Sequence, residues 1–334
     1  MTTLIDEMGA EALAGGAGVD RDGVHPGIGV PVFDTVESYS AALDRERHQG
    51  RTVGIVPTMG GLHAGHASLI RQAADECDIV AVSIFVNPTQ FGDLSDLANY
   101  PRTLELDLDM VAAAGGQMVF APAVGEMYPE RRGGVQVTVS VPDLGTRWEG
   151  AARPGHFDGV ATVVVKLLEA AGPCRAYFGE KDFQQLAVVR QVVRDRSLPI
   201  EVVGCGTVRD DDGLALSTRN LRLTSDERRA ALVLSRALAA GSALVERGED
   251  DPAAVESAMA QTVATEPLVH LDYAVVVTAD DLEPAVSCAT DRPLRLLTAA
   301  TVGPVRLIDN LDPRSGRSVE HGRQAMAAAA GTVR

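Results

Sequence analysis

Two histidines and three glycines lie close together in the segment 57–66, here called the histidine segment. Glycines at 60, 61 and 65 permit close approach of the backbone to a ligand. His63 and His66 are three residues apart near a predicted helix start, so both imidazoles can face one ligand and donate to phosphate oxygens. The amides and the dipole of a helix start also favour an anion. We predict a phosphate site; metal binding by the two histidines is the lesser alternative, because no Asp, Glu or Cys accompanies them at zinc-like spacing.

A lysine follows the fourth predicted strand. Lys181 and Lys166 are the only lysines among 30 basic residues. In a chain that otherwise uses arginine, a lysine at the edge of a sheet indicates that a compact point charge is needed there. We therefore predict that Lys181 stabilises charge on a transferring phosphoryl group, whereas Lys166 lies in an apolar helix without such a role. Asp182 would either bind a ribose or cap a helix.

Neutral amide side chains follow the second and fourth predicted strands. They include Gln90, in the segment 87–91, and the adjacent Gln184 and Gln185. Amides suit the hydroxyl, carboxylate or carbonyl groups of a small substrate, although for Gln184 solvent exposure is the favoured interpretation. The segment 149–157 is predicted to be a loop that could fold over this site.

Acidic residues near the same strands could contact Mg²⁺ bound to phosphates. Asp107 is one candidate. The run 210–212 is another, but a solvated turn is the better interpretation of that run.

A further group of hydrogen-bonding side chains follows the fifth predicted strand. Ser217, Thr218 and Arg219 would present two hydroxyls and a guanidinium to the same sheet edge, although serine and threonine before arginine often only cap a helix. Together with the histidine segment, they resemble the HIGH and KMSKS pair with which one class of nucleotidyltransferases binds ATP. Two phosphate-binding segments imply attack at the α-phosphate, with pyrophosphate leaving.

The elements that must position these residues alternate between short β-branched runs and amphipathic helices. This order is typical of parallel strands with crossover helices. The run 79–86 is apolar almost without alternation, which indicates a strand buried on both faces in the middle of a doubly wound sheet. The run 135–141 alternates and is predicted to be an edge ribbon. The predicted strands are 52–56, 79–86, 117–120, 175–178 and 200–203, and the predicted cover helices are 66–77 and 183–194.

The order of elements reverses after residue 213, with helices first and strands afterwards. Thr224 and Glu227 match a capping box, ahead of a long predicted helix over 228–247. A boundary near 207–213 would leave a compact C-terminal α+β domain of ordinary size. The predicted elements of that domain are a second helix at 252–263 and strands at 272–277, 294–297 and 305–308.

The composition is that of an ordinary globular protein, with 334 residues, 46% hydrophobic and 23% charged. The net charge of -16 argues against a protein that holds a polyanion, so no nucleic-acid partner is expected. No apolar run is long enough for a membrane span, and no membrane partner is expected. The four cysteines form no C-x-x-C pair, which suits a reducing cytosol. We expect a cytoplasmic protein without a zinc-type metal site of its own.

Six collinear strings between residues 32 and 312 give the chain a specific resemblance to the pantoate–β-alanine ligases, the pantothenate synthetase family. They are PTMGGLHAGH at 57–66, IFVNPTQF at 84–91, YPR at 100–102, RPGHFDGV at 153–160, YFGEKDFQQL at 177–186 and DGLALSTRN at 212–220.

This resemblance implies a two-step reaction. The carboxylate of (R)-pantoate attacks the α-phosphate of ATP to give pantoyl adenylate and pyrophosphate, and the amine of β-alanine then displaces AMP to form pantothenate. The implied ligands are ATP with Mg²⁺ on its phosphates, pantoate and β-alanine, and the implied assembly is a homodimer.

The resemblance also implies a domain organisation. A Rossmann-like doubly wound parallel sheet of the HIGH-type nucleotidyltransferases, over 31–208, would bind ATP and pantoate. A smaller C-terminal α+β lid domain would follow over 209–312. Residues 1–30 and 313–334 are expected to be a flexible extension and a flexible tail.

Roles follow from the resemblance residue by residue. His66 is similar to the usual proton donor, and His63 and Lys181 complete the implied catalytic set. Gln90 and Gln185 match glutamines that hold pantoate, and Gln90 also lies near the path of β-alanine. The implied ATP contacts are Met59, Gly60, Gly61, Leu62, His63, Ala64, Gly65, His66, Gly179, Glu180, Lys181, Asp182, Val208, Leu216, Ser217, Thr218 and Arg219.

Two positions depart from the family pattern. Thr218 stands where a second serine is common, and its extra methyl group could crowd the phosphate. Gly61 stands where alanine or asparagine is usual, which loosens the segment without removing a donor.

Two other functions fit parts of the pattern. One is another nucleotidyltransferase, such as a cytidylyltransferase or a compact aminoacyl-tRNA synthetase; the charge of -16 and the absence of a basic anticodon-binding segment argue against the synthetase. The other is a non-catalytic nucleotide sensor, which would bind ATP without turnover. The intact His66, Lys181 and Arg219 argue against a sensor.

Overall fold

The structure is a computed structural model that describes residues 29–129 and 135–314. The predicted flexible extension, 1–30, and tail, 313–334, therefore lie outside the described residues except at their inner ends. The chain divides into two units. The first holds the described residues up to Gly179 together with Val188–Cys205, and the second holds Glu180–Ala187 together with the described residues from Gly206 onward. The sequence-based limits, 31–208 and 209–312, stay a prediction; the two divisions differ in the placement of Glu180–Ala187.

A six-stranded parallel sheet forms the centre of the first unit, with the strand order β1-β4-β3-β2-β5-β6. The elements of this unit, in chain order, are β1 Val32–Phe33, α1 Val36–His48, β2 Val53–Thr58, α2 Ala64–Glu76, β3 Ile79–Ile84, α3 Leu94–Ala98, α4 Leu104–Ala113, β4 Met118–Phe120, α5 Val124–Met127, α6 Pro142–Gly145, α7 Glu149–Ala152, α8 His156–Ala171, β5 Cys174–Gly179, α9 Phe183–Asp195, which begins in the second unit, and β6 Ile200–Cys205. Single 3-10 turns cover Pro88–Gln90 and Glu180–Asp182.

The strand order reverses between the neighbours β2 and β5. This reversal makes the sheet doubly wound, and ligands of such sheets bind beyond the carboxyl ends of the strands at the reversal. Those ends are Thr58 and Gly179. The buried run of β3 lies inside the sheet as predicted, with Ile79, Val80, Ala81 and Val82 all at most 5% exposed.

The cover helices bury the faces that the periodicity predicts. In α2, Leu69, Ile70 and Ala73 are buried whereas Ala74 is exposed. In α9, Leu186 and Val189 are at most 1% exposed. No helix in the described parts of the chain is both long and apolar enough to cross a membrane.

The predicted edge ribbon at 135–141 is wrong, because the structure has no strand over those residues. Val137 is 78% exposed, whereas Val135, Val139 and Val141 are half-buried. The amide of Val139 instead donates to Thr162 Oγ1 at 2.9 Å. The edge strands are β6 and β1, and β1, at two residues, is too short to produce a periodicity in the sequence.

The second unit combines three helices with an antiparallel sheet of order β7-β8-β9. Its elements, after a 3-10 turn at Thr218–Arg222, are α10 Ser225–Ala231, α11 Val233–Glu246, α12 Pro252–Val263, β7 Val269–Thr278, β8 Leu294–Val302 and β9 Val305–Leu311. Leu238, Met259 and Leu296 are completely or almost completely buried in its core. A Cβ on Gly241 would lie 2.9 Å from Met259, so glycine lets α11 and α12 approach closely.

The predicted capping box is present, and the helix that follows it is shorter than predicted. Thr224 Oγ1 accepts from the Glu227 amide at 3.3 Å, and a Glu227 carboxylate oxygen accepts from the Thr224 amide at 2.8 Å. The single helix predicted over 228–247 is wrong, since α10 and α11 are separated at Leu232. The amide of Leu232 donates to the carbonyl of Arg229, three residues back, which is the tighter 3-10 pattern that interrupts an α-helix.

Candidate functional site

The histidine segment leaves β2 through a tight turn. Thr58 Oγ1 donates to the Ser83 carbonyl at 2.6 Å and accepts from the Gly60 amide at 3.2 Å. Gly60 and Gly61 have φ angles of 84° and 62°, in the left-handed region that favours glycine. A Cβ on Gly60 would also lie 3.1 Å from Asp107 Oδ2. The backbone angle therefore favours glycine at both positions, and the close approach of Asp107 adds a second reason for glycine at Gly60.

The Asp107 carboxylate holds this turn through hydrogen bonds to its backbone. Its side chain is 2% exposed, and its two oxygens accept from the amides of Gly61 at 3.0 Å and Leu62 at 2.8 Å. Thr103 Oγ1 donates to the same carboxylate at 3.2 Å. Both Asp107 oxygens accept hydrogen bonds within the protein, and a contact between Asp107 and Mg²⁺ stays a prediction. The amides of Gly61 and Leu62 are likewise directed at this carboxylate.

The two imidazoles cap the start of α2. His63 Nδ1 accepts from the Gly65 amide at 3.1 Å, and His66 Nδ1 accepts from the His63 amide at 3.3 Å. A nitrogen that accepts a hydrogen bond carries no proton, so we assign the proton of each neutral ring to Nε2. The ring centroids are 4.2 Å apart. The segment thus holds two adjacent N–H donors of fixed tautomer, which is the chemistry that phosphate oxygens require.

A buried amide network lies beside the histidine segment in the first unit. Asn87 is 1% exposed, and its Nδ2 donates to Gln90 Oε1 at 2.9 Å and to the Gly159 carbonyl at 3.2 Å. Gln90 Nε2 in turn contacts Met59 Sδ at 3.0 Å. The structure therefore brings Gln90, predicted for the organic substrate, into contact with Met59, predicted for ATP.

Tyr128 completes this network. Its hydroxyl donates to Asn87 Oδ1 at 2.8 Å. Burial raises the pKa of the Tyr128 hydroxyl to about 12, against a weaker opposing effect of Thr89. The hydroxyl is therefore protonated, and remains a donor, throughout the physiological pH range.

The segment 149–157 is a loop only over 153–155. Residues 149–152 form α7 and residues 156–157 begin α8, and Glu149 is only 6% exposed. His156 Nδ1 lies 2.8 Å from the Gln90 carbonyl, and Arg153 contacts His156 Nε2 at 3.1 Å. A Cβ on Gly159, the next glycine of α8, would lie 2.4 Å from the Thr89 carbonyl. This close approach fixes the segment against the turn that carries Gln90.

In the second unit, the turn Glu180–Asp182, here called the lysine turn, carries Lys181. The Lys181 ammonium lies 3.5 Å from Asp182 Oδ1, and its side chain is 18% exposed. Asn310 Nδ2 donates to the carbonyls of Glu180 at 2.9 Å and Lys181 at 2.8 Å. The lysine turn is thus held through its backbone.

The remaining predicted ATP contacts lie around a short hairpin of the second unit. The Leu216 amide donates to the Val208 carbonyl at 3.0 Å. This bond joins two residues that were each predicted to contact ATP. Ser217 Oγ accepts from the Arg219 amide at 3.3 Å and caps the turn Thr218–Arg222. The capping role that serine often has before arginine is therefore present for Ser217.

Arg228 forms ion pairs with the acidic run 210–212. Its guanidinium pairs with Asp210 at 2.6 Å and also with Asp212, and its hydrogen bonds lower the pKa of the Asp212 carboxyl. Among residues 29–129 and 135–314, no group of three or more His, Cys, Asp or Glu side chains is arranged to hold a metal ion.

One of the two glutamines of α9 differs from the prediction. Gln184 is 5% exposed, so the expectation of solvent exposure is wrong. Gln185, the predicted substrate ligand, is half-buried.

The chain matches a family model described as Pantoate-beta-alanine ligase over residues 31–312. The chain belongs to this family. The pantothenate synthetase of Rubrobacter xylanophilus is 52% identical over 270 residues, which cover 80% of this chain and 92% of that protein. The pantothenate synthetase of Sinorhizobium medicae is 45% identical over 285 residues, which cover 85% of this chain and 97% of that protein.

Solved structures of the family share the fold. Pantothenate synthetase from Thermus thermophilus matches with a TM-score of 0.78 and 45% identity, over 84% of this chain and 99% of that one. The pantoate-beta-alanine ligase from Francisella tularensis, complexed with beta-gamma ATP and beta-alanine, matches with a TM-score of 0.68 and 32% identity, over 85% and 98%. The resemblance and the predicted Rossmann-like fold class with a smaller α+β part are confirmed.

The roles of several residues near these family segments could not be predicted from the sequence. Asn87 lies in a recognised string, but its role as the centre of a network depends on Tyr128 and Gly159, which are distant in sequence. Arg295 lies in the predicted strand 294–297, whereas Asn310 lies two residues beyond the end of the predicted strand 305–308. The available signal was the pair of polar residues at 309 and 310 within β9.

Proposed function

We propose that the chain catalyses the ATP-dependent condensation of (R)-pantoate with β-alanine to pantothenate, through pantoyl adenylate, with release of AMP and pyrophosphate. The observation that carries the proposal is the pair of Nε2–H donors at His63 and His66, set beside the Met59–Gln90 contact. Family membership and the ligands named for the Francisella tularensis enzyme support the substrates.

In the first step, a carboxylate oxygen of pantoate would attack the α-phosphorus, and the bond to pyrophosphate would break. Negative charge grows on the non-bridging and leaving oxygens, so donors aimed at those oxygens lower the barrier. His66 and His63 would donate from Nε2, His66 as the proton donor. Lys181 would neutralise charge on the leaving group. ATP would carry Mg²⁺ on its phosphates, and the ion would supply positive charge there.

Gln90 is suited to hold pantoate because its amide orientation is fixed. Asn87 donates to its Oε1, which directs the Nε2 donor toward Met59 and away from the network. An N–H donor matches the carboxylate and hydroxyl oxygens of pantoate. Gln185 would supply the second amide, and Gln90 would also lie near the path of β-alanine.

In the second step, the β-alanine amine would attack the acyl carbon, and the bond to AMP would break. Free carboxylate would have to expel oxide, whereas AMP leaves readily, so adenylation is what makes amide formation feasible. Binding both reactants in one site supplies much of the remaining acceleration.

The other nucleotide contacts are proposed as a set. The backbone of the histidine segment and the side chains of the 217–219 segment would each donate hydrogen bonds to phosphate oxygens. The set comprises Met59, Gly60, Gly61, Leu62, Ala64, Gly65, Gly179, Glu180, Asp182, Val208, Leu216, Ser217, Thr218 and Arg219.

We also propose a cytoplasmic homodimer. The four cysteines are all free, as a reducing compartment requires. Light scattering coupled to size-exclusion chromatography tests the dimer, which a monomeric mass would exclude.

The decisive experiment is ATP–pyrophosphate exchange in the absence of β-alanine. We expect label from pyrophosphate to enter ATP only when pantoate is present, because only the first step is reversible under those conditions. Adding β-alanine should then produce AMP and pantothenate. Exchange independent of pantoate, or use of CTP instead of ATP, would contradict the proposal and favour another nucleotidyltransferase. ATP binding with no exchange would favour the nucleotide sensor.

A further inference from the structure

Two consecutive polar residues interrupt the apolar strand β9. Asp309 and Asn310 are 5% and 4% exposed. Consecutive side chains of a strand point to opposite faces, so these two residues serve different neighbours. Buried polar groups are costly unless they are hydrogen-bonded, and both of these residues are fully engaged.

Asn310 holds the backbone of the lysine turn. Its Nδ2 donates to the carbonyls of Glu180 and Lys181, and its Oδ1 accepts from Arg295 Nε at 2.7 Å. Arg295, itself 8% exposed, also donates to the Glu180 carboxylate at 3.0 Å. Its guanidinium lies 4.2 Å from the centroid of the Phe183 ring. The peptide that carries Lys181 is therefore clamped on both sides.

Asp309 holds the hairpin between Val208 and Leu216. Its two oxygens accept from the Arg209 guanidinium at 2.6 and 2.8 Å, a bidentate pair. Arg209 also donates to the Gly213 carbonyl at 3.1 Å, which ties the tip of the hairpin to its base.

The two clamps are linked to each other. The Asn310 amide donates to Asp309 Oδ1 at 2.8 Å, and Arg209 donates to the Asn310 carbonyl at 3.4 Å. The strand β9 contacts both the lysine turn and the turn Thr218–Arg222. One short stretch of strand thus sets the position of two segments that are far apart in sequence.

We propose that Asp309 and Asn310 are positioning residues that hold Lys181 and the 217–219 segment in register for one ATP molecule. Neither residue needs to touch the substrate: Asn310 acts through Lys181, and Asp309 acts through Arg209 and the hairpin. This inference rests on the proposed function, because the register has a purpose only if both segments bind the nucleotide.

Kinetics of ATP–pyrophosphate exchange test the action through Lys181. We expect Asn310→Ala to lower kcat roughly 10- to 100-fold with the KM for pantoate unchanged, the scale of a misplacement near 1 Å. In a Lys181→Ala background the same substitution should change kcat by less than about twofold, since the group it positions is gone. Asp309→Asn should instead raise the KM for ATP roughly tenfold, because it removes the charge that holds Arg209.

The two lysines provide a second readout that does not depend on activity. Labelling the full-length protein with ¹³C-lysine gives side-chain signals from Lys166 and Lys181 alone, and Lys166→Arg assigns them. Asn310→Ala should shift or broaden the Lys181 signal and leave the Lys166 signal in place. Leu307→Ala, which removes a buried core side chain from the same strand, is the control: it should lower the unfolding temperature without moving the Lys181 signal. Asn310→Ser keeps one donor and should show the same changes, smaller, if the alanine variant does not fold.

The outcomes separate this inference from the proposed function. An unchanged Lys181 signal, or equal losses of kcat with and without Lys181, would overturn the positioning role. A wild-type protein without pantoate-dependent exchange would overturn the proposed function, whereas a Lys181 signal that still responds to Asn310→Ala would support the clamp itself.

Discussion

The histidine segment and the lysine turn are organised in opposite ways. The hydrogen bonds that orient His63 and His66 span two and three residues. Those that fix the backbone at Lys181 span 129 and 130 residues. The first is set by local sequence as soon as α2 forms, whereas the second exists only after the β8–β9 pair has folded. The position of the Lys181 ammonium therefore depends on the folding of the antiparallel sheet.

The largest effect is expected at the lysine turn. Lys181→Ala should slow pantoate-dependent ATP–pyrophosphate exchange roughly 10²- to 10³-fold, the scale of removing one preorganised donor. Lys166→Ala is the matched control, because it removes the other lysine from α8. An unchanged exchange rate in Lys181→Ala would contradict a catalytic role for Lys181.

The histidine segment is tested next by separating the two nitrogens of His66. Asn places an acceptor near the Nδ1 position, so His66→Asn should keep the cap to the His63 amide and fold normally. It should still lose roughly 100-fold in exchange rate, because the Nε2 donor is gone. His66→Gln places a donor near Nε2 and should be more active but less stable. Calorimetry beside the exchange assay measures both, and equal activity of the two variants would show that Nε2 is not the functional atom.

The next largest effect is expected where α8 approaches the turn Pro88–Gln90. Gly159→Ala adds a Cβ 2.4 Å from the Thr89 carbonyl, and we expect a loss of about 1–3 kcal/mol in the free energy of unfolding. A Cβ on Gly125 meets nothing within 4 Å, so Gly125→Ala is the control. Denaturant titration compares them, and equal stability would show that the turn moves aside freely.

Asp107 supports the histidine segment from a distant part of the sequence. Asp107→Asn replaces one acceptor with a donor that faces an amide, so we expect a loss of about 1–2 kcal/mol in the free energy of unfolding. Exchange should fall with it, because the turn at Gly60 and Gly61 loses its anchor. Hydrogen exchange at the Gly61 and Leu62 amides reports the site directly, and unchanged protection there would mean that the segment needs no distant support.

The smallest effect is expected at Tyr128. Tyr128→Phe removes the bond to Asn87 and should cost about 1 kcal/mol near neutral pH. The folded-state pKa of about 12 is above the ordinary value of 10, so this stabilisation is present below pH 10 and lost as the pH rises through the folded value. The difference between wild type and variant should therefore shrink between pH 10 and 12 in denaturant titrations. A constant difference would place the Tyr128 hydroxyl outside the network.

Sequence reasoning succeeded where neighbours in the chain decide the structure. The strand over Ile79–Ile84, the helix Pro252–Val263 and the cap at Thr224 all depend on periodicity or on residues within one turn. The same reasoning identified the imidazole pair but not the protonated nitrogens, which depend on backbone amides that only the folded helix start aligns.

It failed where a distant partner decides. The alternation over 135–141 indicates a strand, but no strand among the described residues pairs with it. Gln184 is buried by the fold although its local pattern favours solvent. Asn310 is the clearest instance, because nothing near residue 310 in the sequence shows that its amide will meet the carbonyls at 180 and 181.

The placement of Glu180–Ala187 in the second unit limits how the protein can be divided. A chain ending after Cys205 would contain Lys181 but neither Arg295 nor Asn310, and a chain starting at Gly206 would contain both supports with nothing to hold. A chimera that exchanges the C-terminal part between relatives would therefore have to exchange Glu180–Ala187 as well. Such a chimera needs three junctions, after Gly179, Ala187 and Cys205, rather than one.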